Sequence, residues 1–134
     1  MPKNLLIAAL ALGTLKAMLV DAAFTPDQDA FDFINDVGAT EAAGTGYTAG
    51  GITLTGAAVN IDTATNTATL DADDIDASLG LSVPARWMPL FIDTGTPATS
   101  PVLCYFDLSE GIGGNVTFTT FAFDADGIIP LLVA

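Results

Sequence analysis

Apolar and polar positions alternate along most of this chain in short stretches broken by Thr, Gly, Asp and Pro, the period of two that belongs to half-buried strands. Residues 14–20 put Leu15, Ala17 and Leu19 on one face. Ile52 and Leu54 alternate with Thr53 and Thr55, but Val59 and Ile61 fall on the opposite parity, which predicts a bulge near Gly56. Residues 62–67 have the turn chemistry of a hairpin connection into a strand over 68–72. The run 85–92 is apolar on both faces, so it is central or lies under a partner; Pro89 favours an edge or a bulge, which tilts the reading toward an interface. Residues 102–108 return, 115–123 alternate with a parity slip after Phe118, and 128–133 follow the turn at 124–127. The pattern predicts an all-β fold, a compact antiparallel β-sandwich or jelly-roll-like barrel of six to eight strands, as a single domain over 1–134.

Two stretches stand outside that pattern. Residues 5–12 are apolar on every side, and with Lys3 before them they have the basic start and apolar core of a secretory signal. The run is shorter than the roughly 20 residues of a membrane span, and we take 1–13 as a structural N-terminal arm with Leu5, Leu6 and Leu10 as contact residues. The second stretch, 25–56, reads as a long ordered loop feeding a Thr-rich strand. A short helical turn is expected within 26–50, with Phe31 and Phe33 pinning the loop to the core. Its glycines between Gly44 and Gly51 do not make a dinucleotide fingerprint: the third comes one position late, and they precede a strand instead of opening a helix. Their expected role is in the backbone.

Charge narrows the chemistry. The 134 residues carry three cations, Lys3, Lys16 and Arg86, against 16 carboxylates, a net charge of −13. Nucleic acid and anionic membrane surfaces both require clustered Lys and Arg, so neither is an expected partner. Crowded copies of so acidic a chain would favour salt, divalent cations or a basic partner surface. Hydrophobic residues make up 51% of the chain, enough to drive folding. A mean hydropathy of +0.54 points to small-residue content and to apolar surface covered by partners. Cys104, the one cysteine, lies in an apolar run and reads as a buried inert thiol.

With no histidine, triads, histidine acid–base chemistry and zinc sites have no residues to work with. The Asp residues read chiefly as turn formers, and no enzymatic activity is expected. No cofactor is expected either; calcium at Asp71, Asp73, Asp124 and Asp126 is the one alternative, without EF-hand spacing.

Thr25-Pro26-Asp27-Gln28-Asp29, the Gly-Thr-Gly-Tyr-Thr-Ala-Gly-Gly run at 44–51 and the Asp-Thr-Gly-Thr turn at 93–96 closely resemble a family of small virion structural proteins of tailed bacteriophages, in order from about Thr14 onward. Arg86-Trp87 stands where that family commonly has an Arg-aromatic pair. The resemblance implies an all-β, non-enzymatic protein present in many copies on the particle. The reading that follows is a capsid decoration or cement protein on the outer surface of the head. It would bind junctions of the major capsid protein or other virion proteins as a homo-oligomer, a trimer before a dimer. A tail, neck or fibre component and a secreted bacterial adhesin or surface-layer module are the alternatives. The expected contact residues are the arm, the face of Trp87, Met88 and Phe91, and then the loop with Phe31, Phe33 and Tyr47.

Overall fold

A computed structural model describes residues 11, 13–27, 29–124 and 127–132, with the side chains of 129–132 excepted. Its central sheet joins segments far apart in sequence. Thr14–Ala17 (β1) lies between Ile52–Thr53 (β2) and Trp87–Asp93 (β6), and Val102–Asp107 (β7) pairs with the other side of β6. A second sheet takes Ala58–Asp62 (β3), Thr67–Asp71 (β4) and Ile129–Leu132 (β9) in the order β3-β4-β9. Val83–Ala85 (β5) pairs with Val116–Phe118 (β8). Every pairing is antiparallel, and single 3-10 turns occupy the loops, two of them, Ile34–Asp36 and Gly38–Thr40, inside the 26–50 loop. The expected all-β class and the helical turn are both present.

The strand count is higher than expected, nine among the described residues, because the chain changes sheets in mid-run. At Gly56, φ is +66° and an added Cβ would stand 2.6 Å from the Asp73 carboxylate. The chain leaves the central sheet there and enters the second, so the parity change between Leu54 and Val59 marks a change of sheet, not the expected bulge. Arg86 marks a second crossing. Its N–H and that of Trp87 both donate to the Val20 carbonyl, at 2.9 and 3.0 Å, two residues against one, as in a bulge.

Strand β6 is interior to the central sheet, the central alternative and not an edge, and its pairing with β7 shifts register between Leu90 and Phe91, as a bulge would make it. Met88, Pro89, Leu90, Phe91 and Ile92 are all buried. Pro89 is tolerated because its carbonyl still accepts the Met18 N–H at 3.0 Å. The proline has no N–H to return on that side, so β1 ends at Ala17 and its pairing resumes only at Val20, which bridges Trp87.

The side chains of the central sheet divide between two cores. Leu15, Ala17, Leu19, Met88, Leu90 and Ile92 face the other two sheets and pack with Leu70, Val83 and Phe118. Phe106, Phe121 and Phe123 close one margin of this core, with ring centroids 5.1 Å apart between Phe121 and each of the other two in succession. Met18, Val20 and Phe91 face the opposite way, where no sheet covers them. Phe24, Ile34 and Val37 of the 21–41 segment pack over them instead. That cover is stitched down by backbone bonds: Asp21 N–H to Thr40 O at 2.9 Å, Ile34 N–H to Ser100 O at 2.9 Å, Val102 N–H to Asp32 O at 3.0 Å and Ala42 N–H to Leu19 O at 2.8 Å.

Candidate interaction site

The cover leaves openings at its margins, one of them large. Between the loop residues Pro26, Phe31 and Asp32 and the sheet residues Trp87 and 102–105 lies a cavity of about 660 Å³, open on one side. β6 and β7 supply a fixed floor, because these paired strands hold Trp87 and Tyr105 at set positions. The loop supplies the wall: Phe24 stacks obliquely on both Phe31 and Tyr105, with centroids 5.5 and 5.8 Å away. Two polar atoms in these walls, Trp87 Nε1 and Tyr105 Oη, are shielded from solvent and have no hydrogen-bond partner among the described residues, a state that costs about 1–3 kcal/mol per group.

The electrostatics are one-sided. Burial, reinforced by the fields of Asp36, Asp27 and Asp32, raises the pKa of Tyr105. Burial also pushes the Cys104 thiol up to about 11, so it stays protonated and unreactive at neutral pH. Lys16 is held by Asp93 at 2.7 Å, and Arg86 by Asp107 at 3.3 Å, so both described cations are already paired. The Arg86 guanidinium also lies 4.6 Å from the centroid of the Trp87 ring. Hydrogen bonds from Ser109, first, and Arg86 hold Asp107 down at about 2.

The expected contact residues scatter. Leu5, Leu6 and Leu10 lie outside the described residues. Met88 and Phe91 are interior, 0% and 2% exposed, because β6 is central, so they offer no face to a partner. Tyr47 is a structural tie: its hydroxyl donates to Glu41 Oε1 at 2.7 Å and accepts the Leu19 N–H at 3.1 Å. The same Glu41 oxygen takes the Gly50 N–H at 2.7 Å. Phe33 is 39% exposed and does not pin the loop; Phe24, Ile34 and Val37 do that. Phe31 and Trp87 alone come together, on opposite walls of the cavity.

Of the calcium candidates, Asp71 accepts the Ala72 N–H and Asp73 the Thr55 hydroxyl, and Asp126 lies outside the described residues. Among the described residues no three ligating side chains, Asp124 included, gather as a metal site would need. The acids build turns instead. Asp21, Asp27, Asp62, Asp76, Asp93 and Asp107 each accept the backbone N–H two residues on, at 2.8–3.0 Å.

No protein family, curated protein or solved structure matches this chain. Its site must therefore be judged on its own geometry. Reading the sequence missed Asp32, Val102, Leu103 and Tyr105 as wall residues. Tyr105 was the available signal, a polar tip in an apolar run.

Proposed function

We propose that this chain is a structural protein of a tailed-bacteriophage virion, a capsid decoration or cement protein seated at junctions between major capsid subunits on the outside of the head. The observation that carries this reading is where the phage-like residues fall in the fold. The run at 44–51 contains Tyr47, which ties the loop to Leu19 through Glu41. Gly46 in the same run has φ +77°, and a Cβ there would come within 2.7 Å of the Gly80 carbonyl. The turn at 93–96 anchors Lys16 through Asp93 and is braced by the buried Ser100 hydroxyl, which donates to Thr96 O at 2.9 Å and accepts the Thr94 N–H at 3.0 Å. Two of the resembling runs, though at the surface, are thus tied to the strands by hydrogen bonds and an ion pair. A net charge of −13 suits the exterior of a particle whose nucleic acid is inside.

Quantitative mass spectrometry and electron cryomicroscopy of purified particles test the proposal. A copy number comparable to that of the major capsid protein, with density on the outer face of the head, is the expected result. A few copies confined to neck or tail would replace the cement role with the tail reading. Particles lacking the protein should lose resistance to heat and osmotic shock; unaltered resistance would overturn the cement role.

A further inference from the structure

The cavity between the loop and β7 combines three properties: aromatic walls, a carboxylate at the wall, and no free cation beside it among the described residues. Phe31, Trp87 and Tyr105 provide the rings and Asp32 the charge. Asp27 and Asp36 add their fields, since both act on Tyr105 together with Asp32. Arg86 is held by Asp107 and is not a wall residue. Anions are repelled from such a place. A neutral apolar group would fill it without using the carboxylates. A guanidinium or ammonium on an aliphatic stem uses the carboxylate, the rings and the aliphatic wall: the stem lies along Val102 and Leu103, the head meets ring faces and carboxylate together. The chain already makes this kind of contact once, with Arg86 over Trp87 at 4.6 Å.

Resting on the reading above, we propose that this cavity receives an Arg or Lys side chain projecting from the surface of the protein partner, and that this insertion is what an acidic cement protein uses to choose its seat. Charge complementarity supplies the attraction: the chain has a net charge of −13, and both cations among the described residues are already paired elsewhere. The walls select the long cationic side chain over a bare metal ion, which would gain nothing from three aromatic rings and two aliphatic side chains.

Trp87 is the only tryptophan, so its emission reports directly on the cavity. Full-length protein is titrated with acetyl-Gly-Arg-Gly-amide at fixed ionic strength, beside the Gln peptide of the same length. The expected result is a saturable change in Trp87 emission with the Arg peptide and none with the Gln peptide. Asp32→Asn and Phe31→Ala should each weaken binding roughly fivefold, while Asp62→Asn, on the distant hairpin, leaves it unchanged. Asp32→Asn removes charge at nearly constant shape, so the test survives if Phe31→Ala disturbs the loop. No saturable change, an equal response to the Gln peptide, or an equal loss in Asp62→Asn would overturn the proposal. Incorporation into particles separates this outcome from the virion reading. Asp32→Asn that is incorporated as well as the parent defeats the cavity's role and leaves the cement role standing. Arg-peptide binding by a protein absent from particles does the reverse.

Discussion

The two faces of the central sheet are covered by different means. One is sealed by strands: Leu15, Leu90 and Ile92 meet Leu70, Val83 and Phe118 across a continuous apolar layer. The other is covered by the 21–41 segment, which buries Met18, Val20 and Phe91 beneath Phe24, Ile34 and Val37 and leaves a cavity of about 660 Å³ beside them. Both unpartnered polar atoms, Trp87 Nε1 and Tyr105 Oη, belong to the loop-covered side. A loop can present shape and charge that a ladder-bonded sheet cannot, but it leaves polar groups unmatched. The sealed face holds the larger apolar core; the covered face holds the cavity.

The largest test of that difference is a truncation on each side. Leu90→Ala should cost about 3–5 kcal/mol in denaturant unfolding, because strands on both sides of β6 hinder collapse of the void. Ile34→Ala should cost about 2 kcal/mol, since the loop above it can settle; equal losses would erase the distinction. Next comes Tyr47→Phe, expected to cost about 1–2 kcal/mol by leaving the Leu19 N–H and Glu41 without their shared partner. Burial is the main cause that raises the Tyr47 pKa above its usual 10.0. Its stabilising part is therefore complete below about pH 10 and is lost as the pH rises beyond it. In Tyr47→Phe, unfolding monitored against pH should lose part of its alkaline slope, while Tyr105 and Cys104, both also raised by burial, go on contributing. The smallest effect is Tyr105→Phe. Removing an unpartnered shielded hydroxyl should leave thermal stability unchanged or raise it by up to about 1 kcal/mol; a clear loss would mean the hydroxyl has a partner.

What local sequence could reveal depended on whether the deciding contact was also local. The β3–β4 hairpin was legible because Asp62 holds the Ala64 N–H and Asn66 takes a positive φ, both properties of the turn itself. Leu15, Ala17 and Leu19 were legible as a core face from alternation alone. The crossings at Gly56 and Arg86 were not, since a parity change looks the same whether a strand bulges or leaves for another sheet. Pro89 misled because its missing N–H argues for an edge, while the apolar covering that keeps β6 central comes from distant residues. The candidate site was half legible. Phe31 and Trp87 stood out as large aromatics, but their meeting depends on the bridge between Phe33 and Pro101, which no periodicity announces.

The order of the central sheet also sets a schedule. Thr14 pairs with Asp93, and Thr67 with Leu132, so β1 leaves the ribosome long before its neighbour β6 exists. Until then β1 can join only the short ladder with β2, and pairings as distant in sequence as β1 with β6 form slowly. The nascent chain consequently exposes one edge of β1 until β6 emerges, with only the two-residue β2 to pair on the other, a period in which copies made together can pair with one another instead of with themselves. For a protein produced in bulk, yield would then depend on how quickly β6 captures β1, and slowing translation or lowering expression temperature should improve recovery more than any change to the finished surface.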